Sequence, residues 1–350
     1  MKRKTNQKRK CKMVIVSLAL LLALFFTGCN LDTGTKAIDD VTYPLPVDHP
    51  EAILQEDLSS LPEALVTGIG SDEILTGNAA IDAVIGYNIN TKTASKMEFS
   101  SSDSKSTGNN VVESYISPYA PKAENSKSVF GSDDRTKITS TTSYPTSTYV
   151  KLIITFSNDE VYVGSGTMVG NKHVLTAGHC VYDTNHGGWA KHIKVIPGLA
   201  GTYQPFGYTW AEWLYPTSQW VDSRNYNYDI AVVRLSTKIG QNSGWQGYAW
   251  LKDSQTEDLN IKVYGYPAAL SSGQYQYVSF GSVSSYNSGM MYTLTDWTGG
   301  QSGGPVISRG SSSNYCIGAI SSHTSSTNRA VRITKDRFNW INDLKVAGGD

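Results

Sequence analysis

From residue 128 onward the apolar positions fall in short runs, each soon broken by Gly, Ser, Asn or Pro. That rhythm predicts many short strands and an all-β domain. Val174-Leu175 runs into the small residues Thr176-Ala177-Gly178. Ile230-Ala231-Val232-Val233-Arg234-Leu235 reads as a buried strand because of its β-branched content. Helical spacing surfaces only near the end, in Asp336-Arg337-Phe338-Asn339-Trp340-Ile341-Asn342-Asp343-Leu344. There Phe338 and Ile341 suit one short amphipathic helix.

The first 127 residues follow different rules. Seven basic residues lie between Lys2 and Lys12, and an apolar run of 14 residues follows from Met13 to Phe26. The run is too short to span a bilayer comfortably and reads as a secretion signal over residues 1–28. Phe26-Thr27-Gly28-Cys29 resembles a bacterial lipobox, with Cys29 as the lipidation site; ordinary signal cleavage nearby is the alternative. Residues 29–127 read as a propeptide. From about Asn88 it is rich in Ser, Thr, Asn and Lys, which predicts a flexible, protease-accessible chain.

Charge supports this division. The whole chain is neutral, with 30 basic and 30 acidic residues. Residues 30–127 carry six basic and 15 acidic residues, whereas residues 128–350 carry 17 and 15. No segment after the leader has the basic excess of a nucleic-acid binder. Membrane contact is expected only through the N-terminal signal or lipid.

The chemistry concentrates in Thr298-Gly299-Gly300-Gln301-Ser302-Gly303-Gly304-Pro305. Glycines on both sides of Ser302 permit a tight turn and leave the Gly300 and Ser302 N–H groups able to face a developing oxyanion. A serine needs a base, usually histidine held by a carboxylate. The order serine, acid, histidine is excluded, since only His323 follows Ser302 and no acid lies between them. The order histidine, acid, serine fits His179, Asp229 and Ser302, spaced 50 and 73 residues apart. Asp222 is the competing acid, but it is expected in a polar loop without an apolar strand behind it.

Thr176-Ala177-Gly178-His179-Cys180, Asp229-Ile230-Ala231-Val232 and Gly299-Gly300-Gln301-Ser302-Gly303-Gly304-Pro305 together resemble the chymotrypsin-fold serine proteases. Ser128-Val129-Phe130-Gly131-Ser132-Asp133-Asp134-Arg135-Thr136 and Thr141-Thr142-Ser143-Tyr144-Pro145 narrow the likeness to the secreted bacterial glutamyl endopeptidases, over residues 128–350. The resemblance implies two six-stranded antiparallel β-barrels closed by a C-terminal helix. It also implies a monomeric mature protease acting on protein or peptide substrates, with no organic cofactor and no metal.

The resemblance further implies cleavage after Glu (or Asp), with His323 as the pocket ring and Ser321 assisting. Asp296, six residues before Ser302, opens the alternative of a basic preference; an apolar one is also left open. Trp297 stands where the family has a small hydroxyl residue, and Gln301 replaces the acid with which trypsin-like zymogens capture a new N-terminus. Activation is expected from a cut between Lys127 and Ser128, made by a helper protease unless Glu124 provides a first site of self-cleavage. A catalytically silent binding homologue is the rival from another class. Cys180 has no cysteine partner in Val163-Gly164-Ser165-Gly166-Thr167, so Cys180 and Cys316 are expected to be free thiols, a bond between them being the alternative.

Overall fold

The computed structural model describes residues 83–98, 111–112, 133–309, 314–324 and 326–350. The signal, Cys29 and the Lys127–Ser128 junction lie outside the described residues. Ahead of the main body stand β1 (Ala83–Asn88), β2 (Thr93–Glu98), β3 (Val111–Val112) and β4 (Thr136–Lys137).

The first barrel uses β5 (Tyr149–Phe156), β6 (Val161–Met168) and β7 (His173–Thr176). After the short β8 (Tyr182–Asp183) it continues through β9 (Gly188–Pro197), β10 (Thr209–Pro216) and β11 (Ala231–Leu235). Its six strands run in the order β10-β11-β7-β6-β5-β9, and the ring closes where Thr209 and Trp210 face Val195 and Lys194. Closure there joins the two end strands of the ring. β7 and most of β11 are buried, as the apolar content of Val174-Leu175 and of Ala231-Val232-Val233 predicts.

A short strand β12 (Tyr248–Ala249) leads into the second barrel. That barrel contains β13 (Asn260–Gly265), β14 (Tyr277–Tyr286), β15 (Met290–Thr293), β16 (Pro305–Ser308), β17 (Cys316–His323) and β18 (Asn328–Arg332). Here the order is β16-β13-β14-β15-β18-β17, and β16 closes on β17 with Pro305 opposite Ala319. The expected pair of six-stranded antiparallel barrels is therefore present.

Among the described residues the α-helices are α1 (Ser218–Ser223), α2 (Gly240–Ser243) and α3 (Lys335–Gly348). The expected C-terminal helix is α3, longer at both ends than its apolar spacing suggested. Thr334 caps its start and Gly349, at φ 76°, ends it. Phe338, Trp340, Ile341 and Leu344 bury its inner face. Arg337 lies there too, fully buried, donating to the carbonyls of Arg332 (2.7 Å), Gly289 (3.1 Å) and Asn227. Burial pulls its pKa down to about 10, so it remains charged at neutral pH. Through Asn227 this cation ties the helix to the loop that carries Asp229.

One expectation fails. The stretch from Asn88 was expected to be flexible, yet Thr93–Glu98 forms β2, paired in register with β1 from Ala83↔Glu98 to Asn88↔Thr93. The composition of β2 is polar because the strand is exposed. Ladder hydrogen bonds and the buried face of β1 hold it, and composition alone does not record either.

Candidate active site

His179 sits on a one-turn 3₁₀ helix, Gly178–Cys180, directly after β7. Asp229 stands two residues before β11, the neighbour of β7 in the ring, with Ala231 opposite Thr176. Adjacent strands thus deliver base and acid to one end of the first barrel. Asp229 is fully buried and its carboxylate is saturated with donors. Oδ1 accepts from the His179 backbone N–H (2.8 Å), while Oδ2 accepts from His179 Nδ1 (2.8 Å) and Ser321 Oγ (2.6 Å). A buried carboxylate without such partners would be costly. Burial disfavours the His179 imidazolium, but the Asp229 charge and hydrogen bond outweigh it and raise the ring's pKa well above the usual histidine value. Asp222 is exposed, on α1 rather than in a loop.

Ser302 lies on the turn before β16, in the second barrel. The turn depends on glycine: Gly300 has φ 92° and Gly303 φ 79°. A Cβ on Gly303 would come within 2.0 Å of Thr176 Oγ1, because this turn presses against the end of β7. The joint between the barrels runs through Ser165 on β6. Its N–H donates to the Ser302 carbonyl (2.8 Å), its hydroxyl donates to the Gly300 carbonyl (2.7 Å), and that hydroxyl accepts from Tyr266 N–H (2.9 Å). The Gly300 and Ser302 N–H groups donate no bond to a described residue. Nor does the Ser302 hydroxyl bond to His179 in this state.

A second anchor of the serine turn comes from upstream of the barrels. Arg135 Nη1 donates to Thr298 Oγ1 (2.7 Å) and to Gln301 Oε1 (3.1 Å), and Gln301 Oε1 also accepts from Thr298 N–H (3.0 Å). Asp133 holds the other edge of the guanidinium through Nε (3.0 Å) and Nη2 (2.9 Å). Gln301, fully buried, is therefore paired with a side-chain cation. Neither Ser165 nor Arg135 was singled out from the sequence for this role. Their partners lie 135 and 166 residues away, beyond any local spacing rule.

The candidate pocket residues divide. Ser321 is buried and turned to Asp229. His323 is exposed at the end of β17, opposite Asn328. It lies two residues beyond Ser321, about 7 Å along the strand. Asp296 faces Asp134: burial and the Asp296 carboxylate together push the Asp134 carboxyl above its usual range. Asp133, Asp134 and Asp296 offer oxygens within 4.8 Å of one another, the one such acidic group among the described residues. Trp297 is buried. Cys180 and Cys316 are buried free thiols, and burial pushes the Cys316 thiol up to about 12.

Comparison with known proteins now bears on this geometry. Residues 138–341 match the family described as trypsin. The chain is 37% identical over 233 residues to the glutamyl endopeptidase of Bacillus licheniformis, spanning 63% of this chain and 71% of that protein. It is 36% identical over 221 residues to a protein of Bacillus subtilis named an extracellular metalloprotease, spanning 61% and 68%. A solved Glu endopeptidase in complex with MPD superposes with a TM-score of 0.55 at 26% identity, over 62% of this chain and 99% of that one. The protease Anisep from Arthrobacter nicotinovorans shares the fold, with a TM-score of 0.51 at 24% identity over 61% of this chain and 98% of that one.

Proposed function

Because this chain belongs to the trypsin family and is a serine endopeptidase, we propose that Ser302, His179 and Asp229 are its catalytic triad and that it cleaves after glutamate. One observation carries the triad: a fully buried carboxylate that grips both the ring and the backbone of a histidine, at the joint where the serine turn meets β7. On this reading Ser302 Oγ attacks the peptide carbonyl as His179 takes its proton. Asp229 holds the ring tautomer and balances the imidazolium. The Gly300 and Ser302 N–H groups receive the oxyanion. Collapse of the intermediate expels the amine, protonated by His179, and water repeats the sequence on the acyl-enzyme. The Ser302–His179 hydrogen bond forms when substrate fills the site, as such bonds often do.

One fact favours glutamate: the B. licheniformis relative carries that activity in its name. His323 lies along β17 from Ser321 and supplies a ring for an acidic side chain; Ser321 contributes by way of Asp229. The metalloprotease name of the B. subtilis relative does not carry over. The acidic group Asp133-Asp134-Asp296 contains no histidine and lacks the donor set of a hydrolytic zinc site.

We further infer a secreted zymogen: residues 1–28 as signal, Cys29 as lipid site, and a cut between Lys127 and Ser128 that releases the protease. The test is a peptide library varied before the scissile bond, run on the processed chain beside Ser302→Ala. Cleavage after Glu that vanishes in Ser302→Ala supports the reading. Cleavage after Lys or Arg keeps the triad and returns the pocket to Asp296. No cleavage by either, with no labelling by an organophosphonate, favours the silent binding homologue.

A further inference from the structure

Two strands upstream of the proposed cut, β1 and β3, pair with strands of the protease domain. β1 pairs antiparallel with β10, Tyr87 opposite Leu214 and Asn88 opposite Trp213, and a bridge joins Val84 to Thr217. Ile89 N–H adds a bond to the Glu212 carbonyl (3.0 Å). This is the place where the ring of the first barrel closes. β10 and β9 pair only at Thr209 and Trp210, and beyond them the two strands part. β1 lies along β10 in that seam and touches both walls. Tyr87 stacks on Trp189 of β9, with ring centroids 4.4 Å apart and planes within 7°. The backbone of Gly86 lies against the Tyr215 ring of β10.

The contact reaches the core. Ala83 and Val84 are fully buried, and Val84 belongs to the cluster of buried residues that includes Leu175, Ile230 and Val232, the strands behind His179 and Asp229. Asn88 closes the hairpin locally by accepting from the N–H groups of Asn90 and Thr91 (both 2.9 Å). A second attachment lies on the other barrel, where β3 pairs with β12, Val112 opposite Tyr248 and Val111 opposite Ala249. Two attachments on one chain reinforce each other through effective concentration.

We propose that residues 83–98 are a structural piece of the protease, a strand donated to the β10 edge, and that they stay seated after the chain is severed upstream of Ser128. The processed enzyme is then a two-chain particle. Its partner surface is the β10 edge from Glu212 to Leu214, and its partner is the upstream segment of this same chain. Without it that edge exposes unpaired backbone groups beside Trp213 and Tyr215, a template for wrong pairing. The inference rests on the zymogen reading for the position of the natural cut only; the seating rests on the pairings themselves.

The experiment separates the two. Full-length Ser302→Ala is given the recognition sequence of a site-specific protease within residues 113–127 and is cut with that protease, so natural maturation plays no part. Mass spectrometry confirms the cut, and size-exclusion chromatography then follows the upstream fragment at micromolar concentration. Co-elution of the fragment with residues 128–350, with exchange of the Tyr87 and Ile89 amides as slow as those of β11, is expected. Separate elution, with the remaining domain keeping its circular dichroism spectrum, overturns the proposal, as does rapid exchange of those two amides. Gly86→Val, whose side chain must displace the Tyr215 ring, should release the fragment at least tenfold faster than Thr91→Ala at the exposed hairpin tip. Equal release would show that β3 holds the fragment and that β1 does not. If Gly86→Val does not fold, the exchange measurement on the parent decides alone.

Discussion

The two barrels share one architecture and differ in how they are completed. The second barrel, which carries Ser302, closes β16 on β17 from Pro305 to Ile307. The first carries His179 and Asp229 and closes β10 on β9 over only two, so a strand from outside the ring lies along its seam. The serine turn in turn depends on groups outside its own barrel, Ser165 from β6 and Arg135 from ahead of β5. Closure gives each barrel its stability, but the alignment of serine with histidine is decided at the joint, by hydrogen bonds that neither barrel makes alone.

The comparison can be broken most sharply at the first barrel's contribution. Asp229→Asn keeps the fold but leaves the His179 tautomer unset, and kcat should fall by about 10⁴. Steady-state kinetics on a Glu-containing peptide, beside an unchanged melting curve, measures it. A drop below tenfold would remove Asp229 from the triad.

Arg135 tests the second barrel's borrowed anchor. Arg135→Ala frees Gln301 and Thr298, and the turn that presents Gly300 and Ser302 loosens. A displacement of about 1 Å there should cost roughly 100-fold in kcat with KM little changed. Arg135→Lys restores one donor and should recover part of the loss. A change confined to KM would assign Arg135 to substrate binding instead.

The pH profile probes the joint itself. The proposed mechanism needs His179 neutral, and Asp229 raises the ring's pKa. As pH falls through that raised value the ring takes up a proton, and kcat should drop about tenfold per further pH unit. In Asp229→Asn the acid limb should move to lower pH, which a kcat–pH series on both proteins reads.

The smallest effect concerns stability of the first barrel alone. Lys151 on β5 is 3% exposed, its ammonium has no hydrogen-bond partner, and burial lowers its pKa to about 8. Below pH 8 both folded and unfolded chains carry the charge and the burial cost is fully present. Between pH 8 and about 10.5 the unfolded chain binds the extra proton, so stability rises with pH. Lys151→Met should raise stability by roughly 1–3 kcal/mol at pH 7, some 3–8 °C in Tm. The gain should shrink toward pH 10, and thermal melts at both pH values check it.

Much of the architecture was legible because burial leaves a local trace. The largely buried β7 and β11 were marked by Val174-Leu175 and Ile230–Leu235, and α3 by the spacing of Phe338 and Ile341. β2 was not legible, since Thr93-Ala94-Ser95-Lys96 is exposed and only its pairing with β1 makes it a strand. At the site, the order of His179, Asp229 and Ser302 singled out residues that the fold brings to one joint. Ser321 was named for a pocket, and the bulge between Ile320 and Ser322 accompanies its turn to Asp229.

The sequence by itself determined the class of fold and the family, and singled out the side chains proposed to carry the chemistry, because periodicity and motif order record local burial and residue type. Only the tertiary structure decided what holds those side chains in place: Ser165 under the serine turn, Arg135 on Gln301, Ser321 on Asp229 and β1 in the seam of the first barrel. The physical reason is distance along the chain. Each is a hydrogen bond or strand pairing between residues about 90 or more positions apart, whose partners become neighbours only when the barrels close.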